Sequence, residues 1–173
     1  MEDSSPSSEI VISLLLLLQE LEINFVRHDH PPLNTVEESK AMRGDMPPGI
    51  HIKNMFLKDR KKKYFLLVAE EDRSIDLKLL QTTIGCGVLS FANTDRLYEM
   101  LGVTPGSVTP LSLINDKTNH NVTLLLDTAF NDTDETIYVH PLVNEISLGL
   151  SGKNLQKFFA YTGHEPKWLS CFC

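Results

Sequence analysis

A predicted strand carries the residues that could stabilise negative charge in a reaction. The segment Lys53–Asp59 follows Pro47-Pro48-Gly49 and precedes the basic run 60–63. Successive side chains of a strand point to opposite faces, and apolar residues occur on both faces here, so we expect cover on both sides. A lysine on such a strand either extends its amine to water, the commoner outcome, or lies in a polar cleft. In a cleft, Lys53 would be a candidate catalytic cation.

A second candidate element is the stiff loop that ends in Pro110. In the segment Thr104–Ser107, proline and glycine occupy the positions that a type II turn favours. Two prolines around a glycine leave few backbone conformations open. Such a loop can simply end a helix, which turn chemistry explains by itself. It can also present backbone N–H groups to a carbonyl oxygen, as an oxyanion site requires.

The other reactive side chains form no recognisable catalytic or metal-binding motif. His28 and His30 flank Asp29, but no further ligand follows at a zinc-like spacing. A lone strand-end histidine such as His140 is usually a satisfied polar residue. We also find no nucleophile–base pair, Gly-x-Ser-x-Gly elbow or phosphate-binding loop. We therefore expect no metal and no cofactor, and any catalysis would depend on positioning and electrostatics.

Composition and charge favour one intracellular domain. The 173 residues, 42% of them hydrophobic and 23% charged, suit a single core. A net charge of -7 argues against a generally basic nucleic-acid binder but leaves room for a local basic patch. Cys86, Cys171 and Cys173 are too few for a disulfide framework, which favours a reduced, cytoplasmic setting. The apolar run Ile10–Leu18 is too short to span a membrane, and we expect no membrane association.

The predicted elements interleave helices and strands and then continue as consecutive strands. This order predicts an α+β fold, with one curved mixed sheet and helices packed outside it. We expect residues 1–8 to be a disordered tail and residues 9–173 to form one domain, whose first helix is capped by Ser8. The predicted strands are 23–29, 52–59, 64–69, 88–91, 111–114, 122–127, 136–140 and 145–150. The other predicted helices are 35–42, 76–83, 94–101 and 154–161.

Six segments in series resemble the YbaK/prolyl-tRNA-synthetase-associated domain family. They are Thr35–Glu38, Lys53–Asp59, Leu89–Ala92, Leu101–Pro110, His140–Asn144 and Gly163–Pro166. Each segment alone is a weak signal, but their order and spacing agree over about residues 10–168. The chain is most similar to the free-standing members, which edit alanine mischarged onto proline tRNA.

The resemblance implies a compact α+β domain with a barrel-like mixed sheet. It implies metal-free hydrolysis of the ester between a wrong amino acid and the tRNA 3′ end, with water as nucleophile and help from a ribose hydroxyl. The implied catalytic residues are Lys53, Asn54 and His140. The implied substrate-binding loop consists of Gly106, Ser107, Val108, Thr109 and Pro110. The implied partners are aminoacyl-tRNA, specifically tRNA(Pro), and prolyl-tRNA synthetase as a further candidate.

Two features of the chain bear on this interpretation. Lys53 and Asn54 face opposite ways in a regular strand, so both can serve one site only at a bulge or strand end, or if Asn54 acts through its backbone. Basic residues that the family often has before Leu89 are replaced by Gly87 and Val88. Contact with tRNA would then depend on another basic segment, formed by Lys58, Arg60, Lys61, Lys62 and Lys63.

The main hypothesis is trans-editing of Ala-tRNA(Pro). A synthetase pocket made for proline cannot strongly reject alanine, because a missing methylene is worth only about 1–3 kcal/mol. A second, tighter pocket would admit alanine and exclude proline. The alternatives are a non-catalytic tRNA- or synthetase-binding module of the same fold, and an editor of mischarged cysteine or serine.

Overall fold

The computed structural model describes residues 6–33, 35–44 and 46–172, which form a mixed sheet flanked by helices. Its strands are β1 (Val26–Asp29), β2 (Ile50–Lys58), β3 (Tyr64–Glu70), β4 (Ser90–Phe91), β5 (Val122–Asp127), β6 (Thr136–Val139), β7 (Ile146–Ser151) and β8 (Lys167–Leu169). Its helices are α1 (Pro6–Glu20), α2 (Val36–Arg43), α3 (Leu77–Ile84), α4 (Thr94–Leu101) and α5 (Gly152–Thr162). Short 3-10 helices cover Pro105–Ser107, Pro110–Asp116 and Thr128–Phe130.

Seven of these strands follow the order β1-β7-β6-β2-β3-β5-β8, and the eighth, β4, pairs with β2 outside this path. The predicted hairpin of β2 and β3 is confirmed, with Lys53 opposite Ala69. Parallel pairs join β2 to β6 and β3 to β5, so the predicted mixed α+β architecture is confirmed. No pairing among the described residues joins β1 to β8, and the predicted barrel-like closure is therefore not confirmed.

Strand β3 lies in the middle of the sheet, as its two apolar faces predict. Leu66 and Val68 belong to the core cluster that includes α1, α4 and α5. Leu67 and Ala69 point to a second, smaller cluster against α3. Full burial of a leucine stabilises a fold by about 1.5–3 kcal/mol, so this central strand contributes strongly to the core on both faces.

Helix boundaries follow the cap residues in the sequence. The predicted capping box before α2 is present, because Thr35 Oγ1 accepts from the N–H of Glu38, and the Glu38 carboxylate accepts from the N–H of Thr35. Gly102 ends α4 in the left-handed conformation that glycine adopts without strain. The bounds of α4 match the predicted helix 94–101, and its N-terminal cap is Asn93.

The start of the first helix and the type of the turn at 104–107 were predicted wrongly. Helix α1 begins at Pro6, before the predicted cap Ser8, because proline fits the first turn of a helix, where no N–H is needed. The rest of the predicted tail, residues 1–5, lies outside the described residues. The turn at 105–107 is a 3-10 helix in which Gly106 has no positive φ, so it is not type II.

The predicted strand 111–114 is part of the 3-10 helix Pro110–Asp116. Its leucines suggested a strand, but Pro110 at the first position and the Thr109 hydroxyl, which accepts from the N–H of Leu111, start a helical turn instead. Strand β8 was not predicted.

No helix in the described ranges has both the length and the apolar character needed to span a membrane.

Candidate active site

A cleft opens where β2 and β6 separate. The two strands pair only through Ile50 with Ile137 and His51 with Tyr138. Beyond this point lies a cleft of about 280 Å³, with α2 along one wall. His51 reaches the cleft from one face of β2, and Ile52 and Asn54 reach it from the other. Separation of the strands thus lets neighbouring residues of β2 serve the same site.

Asn54 connects the cleft to the loop 106–110. Its Nδ2 donates a hydrogen bond of 2.9 Å to the carbonyl oxygen of Val108. A carbonyl oxygen only accepts, so this bond fixes the orientation of the amide. Thr109 Oγ1 donates at 2.6 Å to the carbonyl oxygen of His140. The predicted residues Asn54 and His140 and the predicted loop are therefore joined at one place.

His140 is held as a neutral base by its surroundings. Its Nδ1 lies 3.0 Å from the carbonyl oxygen of Ile146, so Nδ1 carries the proton and, in the neutral ring, Nε2 is an acceptor. Burial lowers the pKa of His140 below its ordinary value; the nearby His30 adds to the lowering, and the bond to Ile146 opposes it. We conclude that Nε2 of His140 can accept a proton at neutral pH.

Lys53 differs from its predicted position. It lies on the same face of β2 as His51, one pleat further along, but it does not line the cleft. Its Nζ instead donates to the carbonyl oxygen of Arg73. The guanidinium of Arg73 in turn pairs with the buried Asp127 at 3.0 Å. The structure therefore brings Asn54, His140 and the loop together, whereas the Lys53 amine is bonded to Arg73 and does not line the cleft.

Two aromatic rings, those of His51 and Tyr138, also line the cleft. Their residues were not predicted from the sequence to belong to the site. His51 stacks on Tyr138, with ring centroids 5.1 Å apart. The Tyr138 hydroxyl donates at 2.6 Å to the carbonyl oxygen of Pro47. A Cβ atom added to Gly49 would lie 2.7 Å from Tyr138 Cε2, and one added to Gly149 would lie 3.3 Å from Cε1. The phenol ring therefore has glycines on both sides and is fixed at its hydroxyl.

An ion pair lies on the helix side of the cleft. Arg43 of α2 donates to both carboxylate oxygens of Glu71, at 2.6 and 2.7 Å. This bond lowers the pKa of Glu71. Burial lowers the pKa of His51, and the nearby positive charge of Arg43 lowers it further. Sequence reasoning missed the pair because its residues are 28 positions apart and no local motif links them.

The fold also creates a serine–histidine pair that the sequence did not reveal. His30 Nε2 lies 2.8 Å from Ser147 Oγ, and His30 Nδ1 lies 2.9 Å from the carbonyl oxygen of Pro31. Ser147 lines the cleft, and the rings of His30 and His140 are 6.4 Å apart. No local motif revealed this contact, because 117 positions separate the two residues and the pairing of β1 with β7 brings them together.

The predicted tRNA-binding segment lies at the other end of β2. Lys58 is about 13 Å along the strand from Asn54. The side chains of Arg60, Lys61, Lys62 and Lys63 are exposed in the hairpin turn. The buried carboxylate of Asp59 holds this turn by accepting from the N–H groups of Lys61 and Lys63 at 2.8 and 2.9 Å. A role in tRNA binding stays a prediction.

Comparison with known proteins identifies the family. The family described as aminoacyl-tRNA editing domain matches residues 30–158. The prolyl-tRNA editing protein ProX of Acetoanaerobium sticklandii is 36% identical over 156 residues, covering 90% of this chain and 93% of the relative. The prolyl-tRNA synthetase associated domain-containing protein 1 of Mus musculus is 39% identical over 163 residues, covering 92% and 95%.

A solved structure shares the fold. It is that of a candidate trans-editing enzyme for prolyl tRNA synthetase, with a TM-score of 0.68 at 20% identity, and the match covers 96% of this chain and 98% of the other. All the residues that line the cleft, from Leu33 to Ser147, lie within the part of the chain that the family match covers. The chain therefore belongs to the aminoacyl-tRNA editing domain family.

Proposed function

We propose that this protein is a trans-acting aminoacyl-tRNA deacylase whose preferred substrate is Ala-tRNA(Pro). The observation that carries the proposal is a pair of hydrogen bonds, which join the loop 106–110 to Asn54 and His140, two residues that line the cleft. The name of the relative ProX, a prolyl-tRNA editing protein, supports proline tRNA as the substrate. Prolyl-tRNA synthetase as a standing partner, and a cytoplasmic location, stay predictions.

The proposed reaction is hydrolysis of the aminoacyl ester by water. The water oxygen attacks the carbonyl carbon and passes a proton to His140 Nε2. The ester bond to the ribose then breaks, and the ribose oxygen takes the proton, with a neighbouring ribose hydroxyl assisting. The products are the free amino acid and a tRNA with a free 3′ end. We further propose that backbone N–H groups of the loop 106–110, which Asn54 and the His140 carbonyl hold beside these two residues, stabilise the charge on the carbonyl oxygen.

Lys53 has the charge to assist this step once its amine leaves the carbonyl oxygen of Arg73. Its four-carbon side chain has several rotatable bonds, and it shares a face of β2 with His51 at the cleft. We propose that the bound ester carbonyl replaces the Arg73 carbonyl as the partner of Nζ. Loss of a donor to a developing oxyanion typically lowers kcat by about 100- to 1000-fold.

The test uses purified protein with Ala-, Ser-, Cys- and Pro-tRNA(Pro). We expect fastest deacylation of Ala-tRNA(Pro), no effect of a chelator, and a kcat lower by about 100- to 1000-fold in Lys53→Ala. Lys153→Ala is the matched control, because Lys153 pairs with Asp134 at the surface, away from the cleft. Preferred hydrolysis of Cys- or Ser-tRNA would reassign the substrate. Tight tRNA binding without hydrolysis would identify a non-catalytic module.

A further inference from the structure

The hydroxyl group of Ser147 can only accept hydrogen bonds from a molecule in the cleft. His30 Nδ1 must carry a proton, because it donates to the carbonyl oxygen of Pro31. In the neutral ring, Nε2 is therefore an acceptor, and the hydroxyl proton of Ser147 points to it at 2.8 Å. Ser147 is 6% exposed and lines the cleft, so its free lone pairs are what a bound molecule would meet.

Three neighbouring polar groups on the strand side also donate a hydrogen bond inside the protein. Asn54 Nδ2 donates one of its two N–H groups to Val108, His140 Nδ1 donates to Ile146 and the Tyr138 hydroxyl donates to Pro47. Asn54 Oδ1 is buried without a partner among the described residues. A wall rich in acceptors is complementary to a ligand that brings N–H donors, and poorly suited to one that brings only oxygen acceptors.

The charges that line the cleft do not oppose a cation there. Arg43 and Glu71 are bonded to each other through both carboxylate oxygens, so their charges largely cancel. His51 and His140 both have pKa values lowered by burial, which keeps their rings neutral at neutral pH. An ammonium group can therefore approach the strand side of the cleft without meeting an uncompensated positive charge on these residues.

We infer that Ser147, positioned by His30, accepts a hydrogen bond from the α-ammonium group of the aminoacyl ester. The inference rests on the proposed function, since an aminoacyl ester carries this group beside the scissile carbonyl. Ser147 then binds the amine side of the ester while His140 faces the attacking water. Esters with a blocked amine, such as formylated or peptidyl-tRNA, lose this interaction and are poor substrates. Ser147 is thus a specificity-determining residue for free aminoacyl groups.

The test compares Ala-tRNA(Pro) with lactyl-tRNA(Pro), in which a hydroxyl of nearly the same size replaces the ammonium group. Each rate is divided by the spontaneous hydrolysis of the same ester, because the two esters differ in intrinsic reactivity. A hydrogen bond to a charged group predicts a preference of about 10- to 100-fold for the alanyl ester. Equal acceleration of both esters would overturn the inference while leaving the deacylase function intact.

Substitution assigns the preference to Ser147. We expect Ser147→Ala to lower the alanyl-to-lactyl ratio by at least about 10-fold, mainly by loss of alanyl-ester hydrolysis. His30→Phe should lower the ratio in the same direction, because Ser147 can then turn its proton into the cleft. Ser90→Ala removes the same hydroxyl from a strand away from the cleft and should leave the ratio unchanged. If Ser147→Ala slows both esters equally, Ser147 serves chemistry or folding, and the inference is wrong.

A binding measurement gives an answer that does not depend on turnover. The probes are adenosines that carry alanine or lactate through a stable 3′-amide, titrated by calorimetry near pH 7, where an α-amino group with an ordinary pKa of about 7.7–8.0 is mostly protonated and a histidine ring with an ordinary pKa of about 6.5 is mostly neutral. We expect the alanyl compound to bind about 10-fold or more tightly, and the difference to vanish in Ser147→Ala. Equal affinities for the wild-type protein would overturn the inference even if no ester were hydrolysed.

Discussion

At the scale of single residues, backbone carbonyl groups decide what the cleft can do. Two histidines have their tautomers set by a carbonyl oxygen, of Ile146 for His140 and of Pro31 for His30. A carbonyl oxygen can only accept a hydrogen bond, so the ring nitrogen that faces it carries the proton. The other nitrogen of each neutral ring is then an acceptor. This arrangement gives the site a neutral base at His140 and an oriented hydroxyl at Ser147.

The pH dependence of hydrolysis should report His140. Because burial lowers its pKa and the neutral ring is the active form, activity is full above that pKa and is lost as the pH falls through it. We expect kcat/KM for Ala-tRNA(Pro), corrected for spontaneous hydrolysis, to hold down to a pH below the ordinary value of about 6.5 and then to decrease. His140→Gln should lower the rate and remove this acidic limb. An acidic limb that persists in the variant would assign the titration to another group.

At the scale of elements, the loop 106–110 is held in place by two distant strands. One anchor is Asn54 of β2, and the other is the carbonyl group of His140 at the end of β6. Loss of an anchor leaves the Val108 carbonyl unpaired, which costs about 1–3 kcal/mol when the group is buried. The loop should therefore open locally before the domain unfolds.

Asn54→Ala tests this anchor. We expect faster amide hydrogen exchange in residues 105–110 and a kcat/KM lower by about 10- to 100-fold, because a misplaced loop no longer aligns its N–H groups with the ester. Asn115→Ala is the matched control, since Asn115 Nδ2 makes the same kind of bond, 2.8 Å, to the carbonyl oxygen of Leu101. If the amide hydrogen exchange rates of residues 105–110 are the same in Asn54→Ala as in the wild-type protein, the loop does not depend on Asn54 for its conformation.

Local patterns predicted most elements, and long-range pairing decided the rest. The alternation in β2 and β3, the capping box of α2 and the glycine after α4 are local signals that the structure confirms. The 3-10 helix at Pro110–Asp116 was predicted as a strand, because its leucines fit either structure. Strand β8 forms only because β5 offers a free edge to Lys167–Leu169.

The candidate site could be predicted only in part, for the same reason. The six segments pointed to Asn54, His140 and the loop, and the structure joins them. Ser147, His30 and the Arg43–Glu71 pair carry no signal in sequence, because strand order alone makes them neighbours. The position of the Lys53 amine depends on side-chain torsions that no spacing rule fixes.

At the scale of the whole molecule, charge distribution predicts how tRNA approaches. The protein carries a net charge of -7, but the exposed turn 60–63 is basic throughout. It lies at the far end of the strand that leads into the cleft. A tRNA 3′ end that enters the cleft could place its acceptor-stem phosphates near this turn, where each neutralised phosphate strengthens binding and makes it sensitive to salt.

A triple substitution of Lys61, Lys62 and Lys63 to alanine tests this contact. Asp59 holds the turn through backbone N–H groups, so the turn should keep its shape. We expect a KM for Ala-tRNA(Pro) about 10-fold higher and a weaker dependence of KM on salt. Hydrolysis of 3′-alanyl-adenosine, which has no acceptor stem, is the control and should not change. A similar loss on both substrates would point to a damaged fold rather than a lost tRNA contact.

The two glycines beside Tyr138 let strand β6 and its aromatic ring lie against β2 and β7 without side chains between them. A methyl group added at position 49 would lie 2.6 Å from the Thr136 carbonyl oxygen and 2.7 Å from the phenol ring, and one added at position 149 would lie 2.8 Å from Thr136 Cγ2 and 3.3 Å from the ring. Such a group would therefore push on strand β6 itself and not on the phenol alone. Because Tyr138 and His140 both line the cleft, an alanine at either glycine would disturb the pocket wall and the neighbouring base together.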